Sequence, residues 1–343
     1  MSKKILIIQT AFLGDVILAT SLVEQVALHY PGAQIHFLLR SGNESILLQN
    51  PHVDKVWVWN KKKNKFFNLI KIIIALRKEK YNLVLNLQRF FSAGLAAILC
   101  RANMVVGFDK NPLSSFFDLT VVHSVPQVFE GRTLHEVERN FLLIREIDKS
   151  LSLPLAKNIP PKLYFGHHVL DNNSNNQKSK YVVIAPASVW ETKQWPKEKW
   201  IQLIQAIPQG VNIFLVGGLE DVSYCQEILE KSQRPLIQNL CGKINILQTA
   251  ILMKSAQRVF CNDSAPLHLA SAVAAPTTVI FCSTLPSFGF GPLSPDFAIF
   301  EINNLACRPC GIHGKKSCPL KHFRCAMEID AAKVASTLLV PTR

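Results

Sequence analysis

Short apolar segments alternate with amphipathic helical segments along most of this chain, and no other feature constrains the fold as strongly. Strands are predicted at 4–10, 33–39 and 53–59, and helices at 15–29 and 66–80. A helix between two consecutive strands makes those strands parallel, because a parallel connection needs a long crossover. The sequence therefore predicts an α/β fold of doubly wound parallel sheets with helices on both faces.

The alternation is interrupted in the middle of the chain. It fades between about 110 and 178, passes through the polar stretch DNNSNNQKSK at 171–180, and resumes at 181–187. A chain of 343 residues is also longer than one compact core usually organises. We therefore predict two Rossmann-like domains, 1–170 and 181–343, joined by a linker at about 171–180. Open sheets of this kind bind ligands at the carboxyl ends of their strands, so we expect a ligand-binding cleft between the two sheets.

The chain is strongly basic. It has 38 lysines and arginines against 24 aspartates and glutamates, a net charge of +14, and residues 1–150 carry 19 of the 38 and 12 of the 24. The excess is therefore spread over both halves. It suits an anionic partner such as a nucleotide-linked substrate, an acidic membrane surface or nucleic acid. The sequence contains no nucleic-acid-binding motif, and we expect no nucleic-acid partner.

Two features of the sequence bear on location. The most apolar helix candidate, at 68–80, is shorter than the roughly 20 residues that cross a bilayer and is flanked by lysines. The first apolar run reaches Asp15 too early for a signal peptide and lacks a small-residue cleavage site. We therefore expect a cytoplasmic protein that contacts a membrane at its surface only. Its nine cysteines are expected to be mostly reduced.

The strongest local pattern is VFCNDSAPLHLASAVAAP at 259–276. An apolar strand ends there, and Asp263 or Ser264 can cap a helix whose first turn accommodates Pro266. The free amides of such a turn can receive an anion such as a pyrophosphate. The alternative is an ordinary capped helix with His268 packed on its face.

Two further loops follow predicted strands. The segment APASVWETKQWPKEKW (185–200) carries Lys193, which is either well placed to neutralise a leaving phosphate or an ordinary solvated lysine. The segment VGGLED (216–221) pairs two glycines with Glu220. That carboxylate is of the kind that binds ribose hydroxyls, or it simply starts a helix.

The first strand is followed by TAFLGDVILATS (10–21). A strand, a glycine and a helix usually form a phosphate loop, but this turn has the single Gly14 and carries Asp15, which would repel a phosphate. Taken alone, Asp15 is a helix-start carboxylate, which the helix dipole favours by about 0.3–1 kcal/mol. The same dipole is expected to lower the pKa of Asp15.

These four segments, together with AQIHFLLRSGNESILLQNPHVDKVWVWN at 33–60, resemble in order and spacing the ADP-heptose:lipopolysaccharide heptosyltransferases, the heptosyltransferase II type in particular. The resemblance runs over nearly the whole chain. It implies the GT-B fold, with two Rossmann-like domains facing a central cleft, and an inverting transfer of heptose from ADP-heptose to the inner core of lipopolysaccharide. The alternatives are a glycosyltransferase with another nucleotide-sugar donor and a non-catalytic sugar-nucleotide-binding protein.

The resemblance also implies roles for individual residues. Asp15 matches the family's general base, so a neighbouring apolar cleft or a bound acceptor would have to offset the lowering of its pKa by the helix dipole. Lys193 matches the lysine that stabilises the departing ADP. No cofactor is implied. The family usually has glycine where this chain has Ala265, whose methyl group could restrict the approach of the diphosphate. The implied donor contacts in the C-terminal domain are Ser188, Thr192, Gly217, Gly218, Glu220, Asp263, Ser264, Leu267 and His268.

The N-terminal domain is expected to bind the acceptor, an inner-core lipopolysaccharide or a lipid A–Kdo molecule. The lysine-rich stretch 60–80 is either a solvated loop followed by a core helix or a surface that docks on anionic lipid at the cytoplasmic face of the inner membrane. The candidate acceptor-binding residues are Gly14, Lys61, Lys62, Lys63, Arg89, Arg132 and His135.

A cysteine-rich segment near the C-terminus has the pattern C-x2-C-x7-C-x6-C, formed by Cys307, Cys310, Cys318 and Cys325. C-x2-C is a common zinc half-site, but the second half lacks a tight pair. A structural zinc site is one interpretation, and reduced thiols or a local disulfide are the other. No catalytic metal is required by the implied mechanism, because a lysine and helix-start amides can stabilise a diphosphate.

Overall fold

The fold is described from a computed structural model, which covers residues 3–166 and 180–339. The chain divides into two compact units, Met1–Tyr164 and Phe165–Arg343. The linker predicted at 171–180 lies outside the described residues, apart from Lys180. Among the helices of the described ranges, none has the length and apolar content that crossing a bilayer requires.

The first unit is built on a six-stranded sheet in which every neighbouring pair is parallel. Its strands are β1 (Lys4–Ile8), β2 (Gln34–Arg40), β3 (Lys55–Trp59), β4 (Leu83–Asn86), β5 (Met104–Phe108) and β6 (Leu119–Val121), in the spatial order β3-β2-β1-β4-β5-β6. A short antiparallel hairpin follows, made of β7 (Val128–Phe129) and β8 (Arg132–Thr133). The helices are α1 (Leu13–His29), α2 (Lys65–Lys78), α3 (Phe91–Leu99) and α4 (Glu136–Ile147).

Helices cover both faces of this sheet. Helix α1 contacts α4, and α2 contacts α3. Central strand β1 is covered on both sides, so Ile5, Leu6, Ile7 and Ile8 are all fully buried. A strand with two buried faces needs apolar residues at every position, which is why β1 has an unbroken apolar sequence and no alternation.

The second unit has a sheet of the same kind, again with parallel neighbours throughout. Its strands are β9 (Tyr181–Ala185), β10 (Asn212–Leu215), β11 (Ile237–Asn239), β12 (Arg258–Asn262), β13 (Thr277–Phe281) and β14 (Phe297–Glu301), in the order β11-β10-β9-β12-β13-β14. The helices are α5 (Lys197–Ala206), α6 (Val222–Ser232), α7 (Ile246–Lys254), α8 (Ala265–Ala272), α9 (Arg324–Met327) and α10 (Ala331–Ser336).

The two sheets have the same strand order when each is numbered from its own first strand. In both sheets the first strand lies beside the fourth. The second and third strands extend the sheet on the side of the first strand, and the fifth and sixth extend it on the side of the fourth. The carboxyl ends of these central strands form the topological switch point at which open α/β sheets bind ligands. The predicted fold class, two doubly wound parallel-sheet domains, is confirmed.

Candidate active site

Asp15 lies at the carboxyl end of β1, in the first turn of α1. Phe12 is the extended N-cap residue of α1, so Asp15 is the third residue of the helix and Gly14 the second. The backbone amides of Asp15 and Phe12 bond to the carboxylate and lower its pKa, as expected for an acid at a helix start. The β1–α1 turn therefore presents a carboxylate at the switch point of the first sheet.

Two other effects raise the pKa of Asp15 by more than those amides lower it. Burial, followed by the negative charge of Glu136, raises the pKa of Asp15 to about 6, and the charge of Arg40 offsets only a small part of this. Removing water disfavours the charged form of a carboxyl group, and so does a like charge nearby. The helix start therefore lowers the pKa of Asp15 as predicted, but burial and the charge of Glu136 reverse the net direction of the shift.

Glu136 supplies a permanent negative charge near Asp15. Burial on its own would raise the pKa of Glu136, but Arg139 and His123 outweigh it and hold the pKa at about 2. The Arg139 Nε lies 2.7 Å from Glu136 Oε2, and His123 Nε2 lies 3.5 Å from the same oxygen. Glu136 is thus ionised throughout the range in which Asp15 titrates.

Lys61 extends from the loop after β3 to the turn that carries Asp15. Its ammonium donates to the Thr10 carbonyl at 2.7 Å and to the Thr10 hydroxyl at 3.1 Å, and it lies 4.5 Å from the centre of the Trp59 ring. Burial, followed by the charges of Arg40 and Lys65, lowers the pKa of Lys61 to about 8. Lys61 is the candidate acceptor residue that contacts the same turn as Asp15.

The other candidate acceptor residues have different surroundings. Lys62 and Lys63 are exposed, and their amides bond to the Asn60 side chain. Arg89 follows β4, with its guanidinium 5.5 Å from the centre of the Phe90 ring.

Arg132 and His135 help to build the start of α4. Arg132 pairs with Glu138 at 2.5 Å, and His135 caps α4 by accepting from the Val137 amide at 3.3 Å. Glu138 completes the capping box by accepting from the His135 amide at 2.6 Å. Both predicted acceptor residues are therefore engaged in the local structure of the protein.

In the second unit, Lys193 and Asp263 are brought together from different strand ends. Lys193 follows β9 and Asp263 follows β12, and their charged atoms lie 2.7 Å apart. The Thr284 hydroxyl, beyond the end of β13, donates to the same Asp263 oxygen at 2.6 Å. The predicted phosphate-loop lysine is thus held by the predicted nucleotide-site aspartate. The contribution of Thr284 was not predicted from the sequence.

Thr192 is buried beside this pair and bonds to the cysteine-rich segment. Its hydroxyl accepts from the Lys315 amide at 2.7 Å and from the Ser283 hydroxyl at 3.0 Å, and its amide donates to the Lys315 carbonyl at 3.1 Å. Ser188 is half-buried, and its amide donates to the Gln194 side chain at 2.9 Å, which closes the loop. The Thr192 hydroxyl therefore fixes the position of the lysine loop.

Helix α8 begins at the predicted position but without the predicted cap. Ser264 is the extended N-cap residue, and its hydroxyl donates to the Asn262 carbonyl at 3.4 Å instead of capping the helix. Pro266 occupies the first turn, and both Leu267 and His268 are buried. Because the cap is not made by the side chain, the amides at the start of α8 remain suited to an anion.

The loop after β10 holds Glu220 on the surface of the second unit. Glu220 is exposed, and a Cβ atom added to Gly218 would lie 2.7 Å from its carboxylate. A Cβ atom added to Gly217 would lie 2.7 Å from the Asp221 carboxylate, which accepts from the Gly218 amide at 2.8 Å. Glycine is thus required at position 217, where the Asp221 Cβ atom also lies 2.9 Å away, whereas the exposed Glu220 side chain can move away from position 218.

The cysteine-rich segment is attached to the ends of β13 and β14 by Arg308. This buried side chain donates to the Thr284 carbonyl at 2.5 Å and to the Ile302 carbonyl at 2.9 Å, and pairs with Glu301 at 2.7 Å. The Cys310 amide donates to the Ser283 carbonyl at 2.9 Å. Arg308 was missed in the sequence because a lone arginine among cysteines carries no recognisable pattern.

The four cysteines of this segment line one cavity of about 450 Å³, together with His322 and Thr192. The Cys307 sulfur lies 4.0 Å from His322 Nε2, and burial raises the pKa of Cys325 to about 11. Each of the nine cysteines lies in the described part of the chain and is a free thiol. Within residues 3–166 and 180–339, no three histidine, cysteine or acidic side chains are arranged to hold a metal ion. The zinc interpretation of this segment therefore has no support in the side-chain geometry.

Comparison with known proteins identifies related chains. Residues 69–323 match the family described as glycosyltransferase family 9 (heptosyltransferase). The lipopolysaccharide heptosyltransferase 3 of Escherichia coli is 30% identical over 285 residues, which are 80% of this chain and 82% of that protein.

Solved structures show the same architecture. The E. coli ADP-heptose lps heptosyltransferase II superposes with a TM-score of 0.79 at 20% identity, covering 98% of both chains. The E. coli heptosyltransferase WaaC with ADP superposes with a TM-score of 0.71 at 19% identity, covering 86% of this chain and 92% of that one. The predicted GT-B fold is confirmed by these likenesses.

Proposed function

Because the chain belongs to glycosyltransferase family 9, the heptosyltransferase family, we propose that it transfers heptose from ADP-heptose to the inner core of lipopolysaccharide. The names of its relatives support both parts of this proposal. One solved neighbour is an ADP-heptose enzyme, and the E. coli relative acts on lipopolysaccharide. The second unit would bind the donor, and the first unit the acceptor.

The observation that carries the proposal is the environment of Asp15. A carboxylate at the switch point of the first sheet, with its pKa raised to about 6, is a stronger base than an ordinary aspartate and is still ionised at neutral pH. In the proposed reaction Asp15 takes the proton of an acceptor hydroxyl. The hydroxyl oxygen then bonds to the anomeric carbon as the bond from that carbon to the diphosphate oxygen breaks, with inversion.

Lys193 would stabilise the departing ADP. Its ammonium is already held by Asp263, 2.7 Å away, and Asp263 is in turn bonded to Thr284. A cation fixed before the reaction acts on the developing charge without having to reorganise. The amides at the start of α8 supply further positive potential for the diphosphate. Exposed Glu220 would accept from the ribose hydroxyls.

The acceptor is proposed to be an inner-core lipopolysaccharide or a lipid A–Kdo molecule at the cytoplasmic face of the inner membrane. Lys61 contacts the Asp15 turn and is the cation best placed to hold an acidic group of such a molecule. The membrane contact would be peripheral.

A transfer assay with a panel of donors tests the proposal. The purified chain is incubated with a heptose-deficient inner-core acceptor and ADP-heptose, or with UDP-, GDP- or CMP-sugars, and the acceptor mass is measured. We expect a gain of one heptose with the ADP-sugar alone. Transfer from another nucleotide sugar would establish a different donor. Saturable ADP-heptose binding without product on any acceptor would establish a non-catalytic binding protein.

A further inference from the structure

One face of α2 is apolar and open to solvent. Phe66 is 75% exposed, and Phe67, Ile70 and Ile74 are each more than half exposed. At 3.6 residues per turn these four side chains share a single face of the helix. The adjoining face is also apolar, because α2 packs on the first sheet through Leu69, Ile73 and Leu76. The apolar surface of α2 is therefore wider than the part that the protein buries, whereas an ordinary surface helix buries its single apolar stripe.

Cations surround the exposed stripe. Segment 60–80 contains eight lysines and arginines and the single acid Glu79, a net charge of +7. The Lys71 ammonium lies 4.4 Å from the centre of the Phe67 ring, and Lys65 lies 5.8 Å from that of Phe66. Aromatic and aliphatic residues bordered by lysines are typical of helices that lie in the headgroup region of an anionic bilayer.

The starts of α1 and α3 also combine an exposed aromatic ring with a cation. Phe12, before α1, and Phe90, before α3, are both more than half exposed. The Arg40 guanidinium lies 4.7 Å from the centre of the Phe12 ring, and the Arg89 guanidinium 5.5 Å from that of Phe90. The starts of α1, α2 and α3 all follow carboxyl ends of strands in the first sheet. The edge that carries Asp15 therefore also presents phenylalanines paired with cations.

Charge and apolarity together identify the occupant of this surface. A second copy of the chain would set a charge of +7 against another +7, which opposes association through this face. A nucleic acid would match the charge, and its bases can stack on phenylalanines, but it would leave the two isoleucines in water. An anionic phospholipid bilayer matches both properties, because its phosphates attract the cations and its acyl chains receive the apolar stripe.

We propose that the α2 docking surface, defined as Phe66, Phe67, Ile70 and Ile74 with Lys65, Lys71 and Lys78, binds the anionic surface of a phospholipid bilayer. The proposal rests on the proposed function in one respect, namely that the acceptor is carried by a lipid. Docking orients the edge that carries Asp15 toward the bilayer in which that acceptor is anchored. Binding itself requires neither donor nor acceptor sugar.

Vesicle sedimentation tests the apolar part of the surface. The full chain is sedimented with phosphatidylcholine vesicles with or without about 30% phosphatidylglycerol, and we expect binding to the anionic vesicles only. The double variant Phe66→Ser/Phe67→Ser should bind roughly tenfold less. The control is Phe116→Ser, which removes a 68% exposed phenylalanine outside the docking surface and should bind like wild type.

A second pair of variants tests the charge. Lys71→Glu/Lys78→Glu should lose binding roughly tenfold at low salt, and the difference from wild type should shrink as salt is added, because salt screens the attraction that both lysines provide in wild type. Lys157→Glu/Lys243→Glu alters the net charge equally at exposed lysines elsewhere and should lose far less. Equal losses in the two pairs would mean that net charge, and not this surface, drives binding. That result would overturn the proposal.

A transfer assay separates docking from catalysis. With a water-soluble deacylated acceptor, the docking variants should turn over like wild type, and with a vesicle-borne acceptor they should fall roughly tenfold. The docking proposal would be overturned if wild-type protein did not bind anionic vesicles, or if the phenylalanine variants bound them as wild type does. The docking proposal would also be overturned if gel filtration showed that wild type is a dimer and that the phenylalanine variants are monomers. A wrong proposed function would show itself differently, as normal vesicle binding without heptose transfer.

Discussion

The two units use one strand order to hold two acids in different electrostatic surroundings. Asp263, beyond β12 in the second sheet, lies 2.7 Å from the Lys193 ammonium and accepts from Thr284. Asp15, beyond β1 in the first sheet, forms no ion pair with a lysine or arginine of the described ranges, and its pKa is raised to about 6. The strand order fixes the position of each acid, and the side chains around that acid determine what chemistry it can support.

The neighbours come from elements that are distant in the sequence. In the second unit, a lysine loop after β9 delivers a cation to Asp263. In the first unit, the start of α4 delivers Glu136, an acid that Arg139 and His123 keep ionised, to the vicinity of Asp15. One unit therefore pairs its acid with a cation, and the other surrounds its acid with groups that raise its pKa, which suits the proposed role of Asp15 as a base.

The largest effect is expected from removing the unpaired acid. Asp15→Asn keeps the shape of the side chain but cannot act as a base, so turnover should fall about 10²–10⁴-fold. The affinity for ADP-heptose, measured by calorimetry, should be unchanged because the donor is proposed to bind the second unit. Turnover within a few-fold of wild type would remove Asp15 from the role of general base.

A somewhat smaller loss of turnover is expected when the charge of Lys193, the cation paired with Asp263, is removed. Lys193→Met keeps the length of the side chain but removes its charge, so kcat should fall about 10²–10³-fold as stabilisation of the leaving ADP is lost. The matched control is Lys199→Met, in α5 of the same unit. Steady-state kinetics with ADP-heptose distinguish the two variants, and similar kcat values would exclude a special role for Lys193.

A further prediction concerns the support of the lysine loop. Thr192→Val removes the hydroxyl that meets Lys315 and Ser283, which leaves buried polar groups unpaired. The free energy of unfolding should fall by about 1–3 kcal/mol, and the KM for the donor should rise more than kcat falls. Urea denaturation and kinetics check this, with Thr249→Val, which removes an exposed hydroxyl in α7 of the same unit, as the control. A stable variant with normal donor KM would show that the loop holds its position without Thr192.

The smallest effect is expected in the pH profile. Asp15 must be ionised to act as a base, so kcat/KM should fall about tenfold per pH unit below its pKa of about 6 and level off above it. Glu136→Gln removes a like charge, which favours the ionised form of Asp15 and lowers its pKa. The acidic limb of the profile should therefore move to lower pH by less than about one unit. An unchanged or higher midpoint would contradict the assigned influence of Glu136.

The sequence predicts strands best where both faces are covered. Strands β1 and β9 are continuous apolar runs, and both were predicted with the correct first residue but with an end two residues too late. Strands β6 and β11 have only three residues each and were missed, because so short a segment has no measurable period. Helix α4 begins only at Glu136, since residues 132–133 pair with Val128–Phe129 in a hairpin.

The site was predictable in its positions but not in its contacts. Loops that follow strands pointed to Asp15, Lys193 and Asp263, and the structure places all three at carboxyl ends of sheet strands. Which side chains meet there depends on tertiary packing, so the influence of Glu136 on Asp15 could not be foreseen. The lowering of the Asp15 pKa by the helix start was predictable because the helix dipole is local, whereas the burial that reverses it depends on the packing of the whole unit.

The contact between Lys61 and Thr10 couples the position of α2 to the position of Asp15. It ties the loop that leads into α2 to the turn that leads to Asp15 by a bond of 2.7 Å. A bilayer that holds α2 in its headgroups would then fix the height of the Asp15 carboxylate above the lipid. Only a hydroxyl at that height could be deprotonated, so distance from the membrane would select among the chemically similar hydroxyls of one acceptor.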